Sequence, residues 1–263
     1  MLRYILAFTL ILLLISCDQT PLTTATVAPT PAISPVSPNT NPTKTRLPNF
    51  ASIKNVQQKK AVFFGYMLPL INQENTRILT LRKTLLNIQT KVASPLSNDD
   101  QTLLQTSAVK YKVKTERYQN EPALLTALLQ RVDTVPASLA LAQSANESAW
   151  GTSRFAREGN NFFGQWCFSK GCGIVPKHRD AGASHEVAAF ANARASVNAY
   201  IRNINTGNAY AGLRARRAQL RAANKPVKGH TLAEGLEKYS ERGHEYVKEI
   251  QAMIRFNKLG QYD

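Results

Sequence analysis

Residues 18–48 contain seven prolines and eight threonines, with almost no large apolar side chain to pack. Such a segment cannot bury enough surface to offset its own ordering entropy, so it is expected to be a tether, and any folded body has to be built outside it. In the extended polyproline form it would reach on the order of 90 Å at ~3 Å per residue. The whole chain has 263 residues, 43% of them hydrophobic, which leaves enough material beyond the tether for a real core.

Before the tether, Arg3 precedes the apolar run YILAFTLILLLIS. A run of about thirteen residues is too short to span a bilayer as a helix and suits the hydrophobic part of a signal peptide. Residues 1–16 are therefore expected to be a signal peptide. Leu14-Ile15-Ser16-Cys17 resembles the bacterial lipobox, in which the cysteine is acylated and becomes the new N-terminus. That makes Cys17 the expected lipidation site and residues 17–48 a lipidated linker; a cleaved signal with a chance cysteine is the alternative. Asp18 resembles the residue that retains enterobacterial lipoproteins in the inner membrane, which favours that membrane over the outer one. The formal charge of +16 calls for an acidic partner: nucleic acid, anionic lipid or anionic polysaccharide. Export argues against nucleic acid and points to the cell envelope, with the lipid anchor as the membrane contact.

From Phe50 the texture becomes helical. Ile71, Ile78, Leu81, Leu85 and Ile88 recur at spacings that suit an amphipathic helix, and Pro69 is expected to kink or interrupt it. A second apolar cluster follows the turn-like Ser97-Asn98-Asp99-Asp100 and runs to about Tyr118. Residues 49–120 thus read as an N-terminal helical region that carries no chemistry of its own.

Several reaction classes lose ground. The four histidines form no H-E-x-x-H pair, since His244-Glu245 is followed by Tyr246-Val247-Lys248. There is no G-x-S-x-G elbow and no phosphate-binding glycine loop. Cys167 and Cys172, in WCFSKGCG, are five positions apart, and in an oxidising compartment they can close a small disulfide loop; a metal site would need further ligands. No metal and no cofactor is implied.

Carboxylate chemistry remains. Glu147 is the only acid between Asp133 and Glu158, at the end of an alanine-rich run. Pro136 suits a first helical position, Ala137 to Trp150 are expected to be helical, and Gly151 ends the run. Gln143, Glu147 and Trp150 would then share a face. In the last turn of a buried helix, the dipole and an aromatic neighbour both disfavour ionisation, so the Glu147 pKa should rise. A carboxyl kept protonated near neutral pH is what a glycosidase needs to protonate a leaving oxygen. Taken alone, such a glutamate is more often structural or solvated.

The surrounding sequence changes that balance. Glu147-Ser148-Ala149-Trp150-Gly151, then Phe155-Ala156, then Asn161-Phe162-Phe163-Gly164 resemble the catalytic segment of lysozyme-like peptidoglycan hydrolases. Within that superfamily the chain is most similar to the Bax-type beta-N-acetylglucosaminidases of glycoside hydrolase family 73. The likeness continues through FANARASVNAYIRNINTGNAYAGLRARRAQLR and GLEKYSERGHEYVKEIQAMIRFNKL and touches AVFFGYMLPLINQENTRI. It implies a mainly α fold: a lysozyme-like α-helical domain over residues 121–263 with a small β lobe, preceded by N-terminal helices. Residues 167–190, broken by Gly171, Gly173, Pro176 and Gly182, are expected to form the lobe. The resemblance makes Glu147 the general acid and lines Tyr239, in YSERGHEY, up with the tyrosine of the family's Y-A-T-D-like segment, with Tyr246 as a second aromatic of that helix. From spacing alone, Tyr239 is equally well a packed aromatic.

The likeness thins at the second carboxylate. Two-carboxylate hydrolysis needs a partner roughly 6.5–9.5 Å away for inversion and nearer ~5 Å for retention. Glu186, in SHEVAAF, is the first candidate and Asp180 the second; substrate assistance by the N-acetyl oxygen would need neither. Trp150, Phe163, Trp166 and Phe168 offer flat surfaces for sugar rings or for core packing, and Asn161 and Tyr246 complete the expected substrate-binding set. Between Glu186 and Glu234 there is no acid, while Arg194, Arg202, Arg214, Arg216, Arg217, Arg221, Lys225 and Lys228 fall there. That segment would meet the carboxylates of peptidoglycan stem peptides or simply face solvent. The expected activity is hydrolysis of the beta-1,4 bond between N-acetylglucosamine and N-acetylmuramic acid, by a monomeric periplasmic lipoprotein acting on peptidoglycan glycan strands. The alternatives are a lytic transglycosylase, whose G-L-M-Q-like segment is replaced here by Asn161-Phe162-Phe163-Gly164, and a non-catalytic tethering lipoprotein.

Overall fold

A computed structural model describes residues 47–91, 95–177, 179 and 182–263. The signal-like run, Cys17, nearly all of the linker and Asp180 lie outside the described residues. Residues from Arg46 onward form one compact unit, so the N-terminal helices pack into the same body as the rest.

Helix α1, Val56–Gln89, opens with the Asn55 side chain accepting from the Gln58 N–H at 2.9 Å. Its buried stripe, Phe63, Met67, Ile71, Ile78, Leu85 and Ile88, follows the expected periodicity. Pro69 does not interrupt it. The proline clashes with and frees the carbonyl four residues back, which belongs to Gly65; both residues are exposed, so solvent can satisfy that group. Helix α2, Asn98–Lys110, begins one residue after Ser97, whose hydroxyl caps the Asp100 N–H. The turn-like residues Asn98-Asp99-Asp100 are therefore its first turn. Helix α3, Glu121–Arg131, follows.

Helix α4, Ala137–Glu147, is the axis of the unit. Every residue from Ala137 to Ala145 is buried, the signature of a helix surrounded on all sides. It packs against α1, α8 (Gly229–Leu232), α9 (His244–Phe256) and the turn Leu259–Tyr262. Burying each of Leu139 and Leu141 contributes about 1.5–3 kcal/mol. Pro136 supplies no side-chain cap, and the Asp263 carboxylate serves in its place, accepting from the Ser138 N–H at 2.9 Å and the Ser138 hydroxyl at 2.8 Å.

Helices α5 (Arg154–Gly159), α6 (Ala193–Thr206) and α7 (Ala211–Ala222) complete the helical body. The lobe is a three-stranded antiparallel sheet of β1 (Trp166–Cys167), β2 (Gly173–Ile174) and β3 (Glu186–Ala188), in the order β1-β3-β2. The fold is thus mainly α with a small β lobe. No helix among the described residues is long and apolar enough to cross a membrane.

Much of the basic segment is turned inward. Asp133, just before α4, is buried and faces Arg82 and Arg217 at 3.6 Å and Arg221 at 3.0 Å. Burial opposes its ionisation, but Arg217, Arg221 and Arg82 outweigh it and hold the carboxyl below the usual aspartate range. Arg217, fully buried, also donates to the Thr134 carbonyl at 2.8 Å. Arg214 donates to the carbonyls of Ile204 and Gly207, and Arg216 pairs with Glu234 at 2.7 Å. Four of the eight basic residues are thus bonded within the fold, while Arg194, Arg202, Lys225 and Lys228 remain exposed. A continuous cationic face over the whole segment is therefore not what forms.

Candidate active site

Helix α4 stops at Glu147, and the residues after it reverse hand. Ala149, Trp150 and Gly151 have φ of 48°, 58° and 76°. For Ala149 and Trp150 this conformation costs roughly 1–2 kcal/mol each, and strain of that kind persists only where neighbours enforce it. Two features do so. The Ser148 hydroxyl donates to the Ser144 carbonyl at 2.6 Å and accepts from the Gly151 N–H at 2.8 Å. A Cβ on Gly151 would lie 2.3 Å from the Phe50 ring, so only glycine fits. Trp150 consequently leaves the face it was expected to share with Gln143 and Glu147. It packs on Phe63 and Phe64 of α1, with the Lys60 ammonium 5.0 Å above its ring. Trp150, half-buried, is thus part of the packing against α1.

Glu147 terminates a buried chain of hydrogen bonds. The Tyr200 hydroxyl donates to Gln143 Oε1 at 2.6 Å, Gln143 Nε2 donates to the Tyr246 hydroxyl at 2.9 Å, and Tyr246 donates to Glu147 Oε1 at 2.9 Å. Each donor fixes the next: with an amide N–H on its oxygen, Tyr246 is left to aim its proton at Glu147. Burial raises the pKa values of Tyr200 and Tyr246, so both remain donors. Oε1 is therefore an acceptor, and a proton on Glu147 belongs on Oε2. That atom borders Gly164, where an added Cβ would come within 3.3 Å of it. Burial pushes the Glu147 pKa up, against the opposing pull of the Tyr246 hydroxyl and the Asn146 side chain. The expected protonated carboxyl is thereby matched in direction, with burial as its main cause.

The other expected site residues surround this centre in supporting positions. Tyr239 donates to the Phe163 carbonyl at 2.9 Å and stacks on Tyr246 with ring centres 5.3 Å apart. Phe163 is buried and stacked on Tyr200 at 4.0 Å, so it belongs to the core. Asn161 is buried too. Its Nδ2 donates to the Gln165 and Ala188 carbonyls, and its Oδ1 accepts from the Phe163 and Gln165 N–H groups. Asn161-Phe162-Phe163-Gly164 is thus a clamp that holds Gly164 against Glu147 and ties the loop to the lobe.

Cys167 and Cys172 form the expected disulfide, with Cα atoms 6.2 Å apart. Closing so short a loop contributes about 2 kcal/mol by chain entropy. Glu186 spans that loop. Its buried carboxylate accepts from the Gly171 N–H at 3.0 Å and the Gly173 N–H at 2.8 Å, and these bonds lower its pKa. The expected second catalytic carboxylate is therefore engaged within the lobe. These three residues are the one cluster of potential metal ligands among the described residues, and the disulfide and the glycine N–H groups account for them. Trp166, 59% exposed and stacked on His185, and Phe168, 72% exposed, are the aromatic surfaces that the lobe leaves open. Gln143 was legible as a neighbour of Glu147, four residues away on one helix; Tyr200 carried no signal in the sequence.

Comparison with known proteins bears on this arrangement. Residues 123–259 match the family model Glucosaminidase, described as mannosyl-glycoprotein endo-beta-N-acetylglucosaminidase. The chain is 32% identical over 212 residues to "Protein bax" of Escherichia coli (strain K12), covering 81% of this chain and 74% of that protein. No solved structure matches. The chain belongs to the glucosaminidase family. Every member of the hydrogen-bond chain, from Gln143 to Tyr246, lies within the matched glucosaminidase segment. The family carries glycoside hydrolase chemistry, and Glu147 lies within the matched segment.

Proposed function

We propose that the protein cleaves the beta-1,4 bond between N-acetylglucosamine and N-acetylmuramic acid in peptidoglycan, as a monomer, with Glu147 as general acid. The observation that carries this reading is the difference between the Glu147 oxygens: Oε1 is held by Tyr246, and Oε2 lies beside Gly164. In the first step Oε2 gives its proton to the glycosidic oxygen as the C1–O bond breaks. Because Glu186 is engaged by the glycine N–H groups, the substrate's own N-acetyl oxygen is the proposed nucleophile at C1. Water then adds at C1 as the bond between C1 and the N-acetyl oxygen breaks, which restores the acetamide and returns a proton to the Glu147 carboxylate. Trp166 and Phe168 are the proposed surfaces for sugar rings. Mass spectrometry of products from purified peptidoglycan tests the reading. Reducing-end N-acetylglucosamine supports it; an anhydromuramic end would make the protein a lytic transglycosylase, and no release would make it a tether.

Tyr246→Phe separates the donor role from packing. Its hydroxyl favours the ionised form of Glu147, so removing it lets burial raise the Glu147 pKa further. A general acid works while protonated, so the alkaline limb of the pH–rate profile is expected to move to higher pH. Gln143 Nε2 also loses its acceptor, at a cost in stability of about 1–3 kcal/mol. A limb that stays in place or moves to lower pH would remove Tyr246 from this role.

The proposed location is the cell envelope, with an acyl group on Cys17 as the anchor and the inner membrane favoured. Cys17→Ser is expected to shift the full chain from the membrane fraction to the soluble fraction, since no other anchor is proposed. Retention of the serine variant through a high-salt wash would count against the lipid anchor.

A further inference from the structure

A cavity of about 500 Å³ lies between α1, the end of α2 and α6, on a part of the fold that the proposed mechanism does not use. Arg77, Lys110 and Arg202 line it, and Glu74 is the only acid in its wall. Glu74 is already engaged: Arg77 donates to both of its oxygens, and Asn198, with its amide nitrogen turned inward, donates at 2.9 Å. Three cations against one carboxylate leave a surplus of two positive charges. Burial together with the nearby Arg77 and Arg202 guanidinium groups holds the Lys110 ammonium below its usual pKa, so the three cations sense one another.

One further feature indicates what would relieve that repulsion. A second cavity of about 480 Å³ shares Arg77 and Lys110 and continues between α1 and α2 past Thr80 and Thr106. The space is therefore an extended, largely apolar groove with cations at its middle, longer than a lone ion would need. An ion such as phosphate satisfies the charge but leaves the length and the apolar wall of the groove empty; a peptide answers both.

We infer that this groove binds an acidic peptide, with a carboxylate on Arg77, Lys110 and Arg202 and the rest of the peptide along the apolar wall between α1 and α2. This rests on the peptidoglycan reading only for the source of the peptide, whose stems carry free carboxylates. The hydrolase would then hold its substrate by the peptide as well as by the glycan.

Calorimetry on the full chain in detergent, with N-acetyl-alanyl-glutamyl-alanine as the probe, tests the site. Saturable binding is expected that weakens as salt is raised, and that is absent for the same peptide amidated at both carboxylates. The exposed Arg202→Glu and Lys110→Glu variants should keep the wild-type melting temperature and bind the peptide at least about tenfold more weakly, the equivalent of one charge-assisted hydrogen bond. Glu147→Gln should bind it as tightly as the wild type, so a failure of the catalytic assignment leaves this result readable. No saturable binding by the wild type, or equal affinity in both charge variants, would overturn the site. So would binding of anionic phospholipid vesicles that the charge variants lose, if the peptide does not bind.

Discussion

Glu147→Gln is expected to fold, to melt at or above the wild-type temperature at neutral pH, and to release no sugar from purified peptidoglycan. The amide retains an oxygen to accept from Tyr246, so the buried chain through Gln143 and Tyr200 survives. It has no proton acidic enough to give to the leaving oxygen, and losing a general acid costs about 10²–10⁴-fold in rate. The stability gain follows from the sign of the pKa shift. Glu147 is raised in the folded state, so its contribution is most favourable below the ordinary glutamate pKa and declines as pH rises through the elevated one. A neutral glutamine avoids that decline. Zymogram clearing near the wild-type level would sink the assignment, and a large fall in melting temperature would show that the carboxylate was structural.

Asp133→Asn is expected to be the most destabilising single change. The Asp133 side chain is 2% exposed and the Arg217 side chain 1%, so this pair sits away from water. Breaking such a pair strands a buried guanidinium, at a cost of about 3–5 kcal/mol. For a domain of this size that lowers Tm by on the order of 10 °C. The Asp133 pKa is depressed in the folded state, so its contribution is fully present above the ordinary aspartate pKa and is lost as pH falls through the lower folded value. The variant should therefore lose stability at neutral pH and show a weaker acid dependence than the wild type in urea melts. A wild-type urea midpoint for the variant at pH 7 would refute the role of the cluster.

What was legible in the sequence was local. The helical periodicity of α1, the end of the alanine-rich run near Gly151 and the closely spaced cysteines each depend on residues within a few positions of one another, and each has its counterpart in the fold. Partners distant in the chain were not legible. Arg217 read as one charge in a basic run because Asp133, which draws it inside, lies 84 residues earlier. Trp150 read as a helical residue because nothing local announces Phe50 pressing on Gly151. Glu186 read as a free carboxylate because its acceptor role appears only once the disulfide loop turns two glycine N–H groups toward it.

The hydrogen-bond chain behind Glu147 also governs how the enzyme recharges. Burial raises the pKa values of Tyr200 and Tyr246, which makes both poor proton sources for Glu147. In the proposed reaction the carboxyl exchanges its proton through Oε2, on the side assigned to the sugar. A glycan bound there would seal the acid from bulk solvent, and the proton spent on the leaving group would have to come back from the water that completes the reaction. Each turnover would then close its own proton cycle at a single oxygen atom.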